Sequence, residues 1–467
     1  MTQIHPRDGS AIAQLRRASI YVALAVLFAL AIAAAAKVMQ GQTPKRVASA
    51  AVASGRLPGV SLTEPAGEFG DSVRAIMRRD FDFSDRVRVA TTANLVGGPI
   101  PVENAVSSDY ERFGRIGASY VVSARVDNGV LAVTMFDVRG SRVGHQKSYP
   151  LSGGPADPPA RATIHAASDD VVGWITGERG IAESRIVYVQ GGRVRVVDSD
   201  GANDHAVTAS GAALSPAWHP NGRAIVFSDF GDAGTQIAQI DLQSGRTSLL
   251  KATPRGLNIT PVFTPDGNNI VYAAGGEQPA DLVIASASND DRARKMGAGS
   301  LTEQSSPTFR PDGRRVAFIA PSPKTPQIYT MNVDGTDIQQ LTPSVAGVRS
   351  YRTGPDWSPD GTKIAYEQQN GDFQVWMINV ADKRMRRLTS VGENEDPSWA
   401  PDSRHVVIST TRNRAKYLWV LDTQSGRMRQ LTHLDGARLA AWSPFLGGDT
   451  FLATAAGVAA APVSGTR

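Results

Sequence analysis

A chain of 467 residues, 41% hydrophobic and 20% charged, is globular and long enough for two or more cores. Its 49 basic and 44 acidic residues interleave to a net charge of +5 with no basic block, which argues against nucleic acid as a partner. The absence of cysteine excludes zinc-ribbon, thiol-catalytic and disulfide-framework designs.

At the N-terminus, Arg16 and Arg17 precede an uncharged, mostly apolar run over 18–36 that stops at Lys37, the layout of an export signal. Ala34-Ala35-Ala36 supplies a small-residue cleavage site, while the length of the run approaches a membrane span. Residues 1–36 therefore fit a cleaved signal peptide or an N-terminal anchor, and either places the remainder outside the cytoplasm. Residues 37–55 read as a linker or N-terminal arm.

Residues 56–177 alternate strand-like and helix-like stretches and predict a small α/β domain. Strands are expected over 57–63 and 86–91 with a helix over 68–79 between them, and 107–116 reads as helical. Strands over 119–126, 129–138 and 143–149 form an antiparallel set in which Asp127-Asn128-Gly129 makes the first hairpin turn. A helix over 157–176 leads out of this domain.

One motif then recurs six times. Its first copy is Ser215-Pro216-Ala217-Trp218-His219-Pro220, and the others lie at 260–265, 306–311, 354–359, 396–401 and, in degenerate form, 439–444. Pro220, Pro265, Pro311, Pro359, Pro401 and Pro444 mark a period of 42 to 48 residues, that of β-propeller blades. Each of the five full copies continues into a tight turn, as in Pro265-Asp266-Gly267, and three further β-rich runs, making four strands per repeat. Before the first copy stand three strands with no inner one, at 185–189, 193–198 and 205–209. The sixth copy has no blade of its own to follow. Chain ends that share one blade predict an all-β six-bladed propeller over 183–446, with 447–467 as a C-terminal extension.

Most motif residues read as structural. Trp218, Phe263, Phe309, Trp357, Trp399 and Trp442 occupy one equivalent position and are expected between blades. Asp266, Asp312 and Asp360 sit in turns. His219 replaces the Ser/Thr of the motif and is expected in a surface turn or at the rim.

Seven histidines without paired-ligand spacing, and no G-x-S-x-G, G-x-G-x-x-G or P-loop pattern, leave no catalytic residue, metal ligand or cofactor to nominate. A binding function is expected instead. Loops leading into the inner strands converge on one mouth of the channel, where they carry Asn258, Gln304, Ser305, Arg349, Tyr351, Arg352, Asn394, Asp396 and Arg438. Tyr351, Arg349 and Arg352 lead this set because Tyr and Arg dominate interface hot spots. A propeller enzyme built from loops alone is the competing class. A closed ring with protected edges predicts a monomer.

The six motif copies, Arg185-Ile186-Val187-Tyr188-Val189 and the closing Ala441-Trp442-Ser443-Pro444-Phe445-Leu446 resemble the TolB family, periplasmic propeller proteins of the Tol–Pal system. The resemblance extends through 81–90, Glu111-Arg112-Phe113-Gly114 and Tyr120-Val121-Val122-Ser123-Ala124, covering roughly 55–446. It implies a non-enzymatic adaptor that binds the peptidoglycan-associated lipoprotein Pal on the propeller and TolA through the N-terminal arm. The implied role is outer-membrane integrity and constriction at division. A propeller of the same build serving another envelope or signalling partner is the alternative. Residues 45–55 lack the family's β-alternating arm, and 447–467 run past the family's usual end.

Overall fold

The computed structural model describes residues 57–91, 107–209, 211–231, 234–276, 278–288, 292–297, 301, 303–322, 325–343 and 350–446. The expected signal or anchor, the arm over 37–55, Arg349 and the extension over 447–467 lie outside the described residues. Among these residues no helix is long and apolar enough to cross a membrane.

The α/β part is a mixed sheet in the order β3-β1-β4-β5-β6, built from β1 (Gly59–Leu62), β3 (Arg88–Val89), β4 (Tyr120–Asp127), β5 (Val130–Asp137) and β6 (Arg142–Pro150). β1 runs parallel to both β3 and β4, and all four of its residues are buried. The sequence did not suggest the short strand β2 (Ala66–Gly67), which pairs parallel to β4. The β4–β5 hairpin pairs Asp127 with Val130, leaving Asn128 (φ 50°) and Gly129 (φ 71°) as the two turn residues. Both lie in the left-handed region that a primed turn requires.

Three helices accompany the sheet: α1 (Gly70–Phe83), α2 (Ser107–Arg115) and α3 (Pro158–Thr176). α1 buries Val73, Ile76, Met77 and Phe81, the spacing of one helical stripe. α3 starts with proline in its first turn, where a missing N–H costs nothing, and ends at Gly177 with φ 80°. Its Ile164, Val171, Val172 and Ile175 join Leu131 and Val133 of the sheet in one core.

The propeller consists of six four-stranded antiparallel sheets. Blades one to five have inner strands Ala213–Trp218, Leu257–Phe263, Ser305–Phe309, Tyr351–Trp357 and Glu393–Trp399. Blade six takes its inner strand, Arg438–Trp442, from the C-terminal side and its other three, Arg185–Gln190, Arg193–Asp198 and His205–Ala206, from the N-terminal side. The ring therefore closes as the repeat count requires.

The repeated aromatics fill the spaces between blades. Phe263 packs with Val226 and Ile237 of blade one and Tyr272 of blade two. Trp399 packs with Ala365 and Val375 of blade four and Val406 and Ile408 of blade five. In the motif turns the aspartates cap backbone: Asp266 Oδ1 accepts from Asn268 N at 3.0 Å, and Asp360 Oδ1 from Thr362 N at 2.9 Å.

The turns joining first to second strands lie at the end of the propeller away from the mouth, and the α/β part packs there. Asp82 in the last turn of α1, and Asp85 and Arg86 just after it, meet Asp402, Arg404, His405 and Arg427 of blade five. Among the described residues, the ion pairs between the two parts all lie at this end.

Candidate functional site

Every inner strand carries a β-bulge at the same place, and the bulged residue has positive φ in all six: Ser215 (49°), Thr260 (53°), Ser306 (50°), Gly354 (56°), Asp396 (51°) and Leu439 (54°). A bulge takes a residue out of the ladder, so its N–H needs another acceptor. Where acceptors are resolved, the preceding blade supplies them. Ser306 N donates to Thr260 Oγ1 at 3.0 Å, Asp396 N to Glu367 Oε2 at 3.0 Å, and Leu439 N to Asp396 Oδ2 at 2.9 Å.

A second ring runs alongside. Trp357 N donates to Thr308 Oγ1, Trp399 N to Asp356 Oδ2 at 2.7 Å, and Trp442 N to Ser398 Oγ. These contacts concentrate carboxylates in blades four and five. Burial pushes the Asp356 carboxyl up to about 6. Burial, and then the Asp396 charge, raises Glu367, while burial raises Asp396.

Five residues before the repeated aromatic stand Ala213, Asn258, Gln304, Arg352, Asn394 and Ala437, all buried. The four polar members, predicted as mouth contacts, are instead used inside the ring. Asn258 Nδ2 donates to the backbone oxygens of Thr235 and Pro254, both at 2.8 Å. Gln304 Nε2 donates to Leu301 O at 2.8 Å. Arg352 donates to Gln327 Oε1, Gln368 Oε1 and Pro343 O, and Asn394 Nδ2 donates to Gln374 Oε1. Gln327 and Gln374 also accept from Thr342 and Thr389, which close the third and fourth strands of their blades.

Of the other predicted mouth residues, Ser305 is half-buried in the ladder and Asp396 belongs to the bulge ring. Tyr351 and Arg438 are exposed, Tyr351 to 41%.

Exposed apolar residues that sequence reasoning missed lie at the same end: Phe230, Leu257, Val391 (72%) and Leu434 (63%). Each stands at an inner-strand start, in the loop before one, or by a hairpin tip, and with Tyr351 they ring the mouth. The available signal was a large apolar residue in a loop flanked by Gly or Asp, as in Ser390-Val391-Gly392 and His433-Leu434-Asp435. His219 lies at the opposite end, edge-on to Phe263 at 4.6 Å between ring centroids.

Away from the channel, Asp80, His165 and Asp200 bring together donor types that suit a divalent metal. Arg79 and Arg161 already pair with Asp200, so that carboxylate is neutralised by protein cations.

The model of the TolB β-propeller domain, known as PD40, matches residues 172–446, more than half of the chain. The chain belongs to this TolB propeller family. A protein named Tol-Pal system protein TolB from Bordetella pertussis is 26% identical over 388 residues, spanning 80% of this chain and 85% of that one. A protein named TolB homolog from Chlorobium chlorochromatii is 30% identical over 212 residues, 44% of this chain and 46% of its own length. The crystal structure of TolB from Acinetobacter baumannii superposes with a TM-score of 0.73 at 22% identity, covering 84% of this chain and 97% of that one. The family's architecture, an α/β part joined to a six-bladed propeller, is thus the architecture found here.

Proposed function

We propose that this protein is a non-enzymatic, protein-binding adaptor of the Tol–Pal system, exported to the periplasm by its N-terminal segment and working as a monomer. In this reading residues 183–446 are the partner-binding unit and 56–177 a separate α/β domain. The mouth of the propeller holds a Pal-like peptidoglycan-associated lipoprotein, and the arm over 37–55 reaches TolA. The role is support of outer-membrane integrity and of constriction at division.

The observation that carries the reading is the exposed set Phe230, Leu257, Tyr351, Val391 and Leu434 at the end of the channel opposite the ion pairs to the α/β part. Large apolar side chains held in water by short loops favour a protein partner that buries them. The relatives bearing the name Tol-Pal system protein TolB point to which partner. The carboxyls of Asp356, Glu367 and Asp396 are engaged by backbone N–H groups, an arrangement that serves ring closure rather than bond chemistry.

The test is affinity capture of envelope proteins from the protein's own host by the tagged full chain, compared with a Tyr351→Ala, Val391→Asp, Leu434→Asp variant. A Pal-like lipoprotein captured by the first and lost from the second, with equal thermal stability, is the expected result. Capture unchanged in the variant removes the mouth from the reading, and no such lipoprotein on a folded wild-type chain removes Pal.

A further inference from the structure

The joint between the α/β part and the propeller is ionic, and two buried histidines sit at its centre. His405, fully buried in blade five, lies between two carboxylates: Nδ1 is 2.8 Å from Asp402 Oδ2 and Nε2 is 3.2 Å from Asp85 Oδ2 across the joint. His165 of α3 places Nδ1 2.9 Å from Asp80 Oδ2 of α1, while its buried Nε2 has no hydrogen-bond partner.

A neutral imidazole has one N–H and one lone pair. Between Asp402 and Asp85, a neutral His405 would aim its lone pair at a carboxylate oxygen about 3 Å away, a repulsive contact buried from water. The imidazolium donates to both.

The surroundings of each ring are mixed in charge. His405 is faced by Asp402 from its own turn, Asp85 from the segment after α1, and Arg429 from the outer strand of blade five. Arg86, Arg404 and Arg427 pair with these carboxylates or with Asp82 and Asp422. His165 is faced by Asp80 from α1, by Asp198 at the end of a blade-six strand and by Asp200 in the turn after it, with Arg161 one helical turn away on α3. Arg79 meets the same Asp200.

We propose that this joint is a proton-operated latch: with His405 as an imidazolium ion it holds the segment 80–86 against blade five, and loss of that proton releases the segment while the propeller stays closed.

The direction of titration agrees. Although burial opposes the charge, the neighbouring carboxylates outweigh it. His405 is raised, first through its hydrogen bond to Asp402 and then through that to Asp85. A folded-state pKa above the unfolded value stabilises fully below about 6.5, and that contribution is lost as pH rises through the folded pKa. The latch is therefore closed in acid and opens as pH rises. It is independent of which partner the mouth binds.

Hydrogen exchange on the full chain, from about pH 6.5 to about pH 10 and corrected for intrinsic base catalysis, tests this. Segments 80–86 and 400–405 are expected to lose about tenfold or more of their protection across that range, while the strand Lys363–Asn370 keeps its own. His405→Gln should expose 80–86 already at the acid end and flatten the profile. Should this variant fail to fold, Asp85→Asn keeps an acceptor oxygen but removes the charge across the joint, and is expected to shift the loss to lower pH. Protection of 80–86 that parallels Lys363–Asn370 throughout, or an Asp85→Asn profile identical to wild type, overturns the proposal.

Discussion

The Arg352 guanidinium lies 2.6 Å from the side-chain oxygen of Gln327, across the boundary between blades three and four. Its neighbour Tyr351 is exposed on the mouth, so two adjacent residues divide between holding the ring and facing a partner. Arg352→Ala leaves Gln327 Oε1 and Pro343 O short of a donor and is expected to cost about 2–4 kcal/mol. Tyr351→Ala should stay within about 0.5 kcal/mol of wild type while weakening capture of the partner. Urea unfolding of both variants beside a binding assay separates the two roles.

Trp399 is buried between blades four and five, and its indole N–H donates to Asp356 O at 3.1 Å. Trp399→Ala opens a cavity there and is expected to destabilise by about 3–5 kcal/mol. The exposed Val391→Ala should leave the unfolding midpoint nearly unchanged. Thermal unfolding reads the contrast.

The buried Asp356 carboxyl, pushed up to about 6, carries a definite sign. A raised folded pKa contributes stability below the unfolded value near 3.8, and that contribution is lost as pH rises through about 6. Wild type should therefore lose stability relative to Asp356→Asn between about pH 4 and about pH 6.5. The difference between their unfolding free energies across that range checks it; a flat difference means the carboxyl titrates normally.

Gly267 in the turn of blade two has φ 74°, and a Cβ there would stand 2.6 Å from the His219 ring. Gly267→Ala combines left-handed strain with that collision and is expected to cost about 1–3 kcal/mol. Adding His219→Ala removes the collision and leaves the strain, so the double variant should recover part of the loss. A double-mutant cycle in urea measures the coupling.

The architecture was legible in the sequence because its information is local and repeated. A proline–aromatic–proline motif every 42 to 48 residues specifies an inner strand and its turn without reference to distant contacts. The count of copies against the three strands preceding the first one decides closure, and the strands pair accordingly. In the α/β part the helix expected over 68–79 and the Asn128-Gly129 turn were readable for the same reason.

The site was less legible, because a bulge breaks the alternation on which face assignment rests. Residues on its mouth side no longer point where a regular strand would send them. Asn258, Gln304, Arg352 and Asn394 look like loop residues of a mouth, yet the fold turns them inward against the preceding blade. Their recurrence five residues before the aromatic was the clue that they serve the repeat. The joint around His405 and Asp85, 320 positions apart in the chain, has no sequence signature at all. Only the tertiary structure brings these two together, because the strength of a buried charge contact depends on distance and exclusion of water, neither of which local sequence encodes.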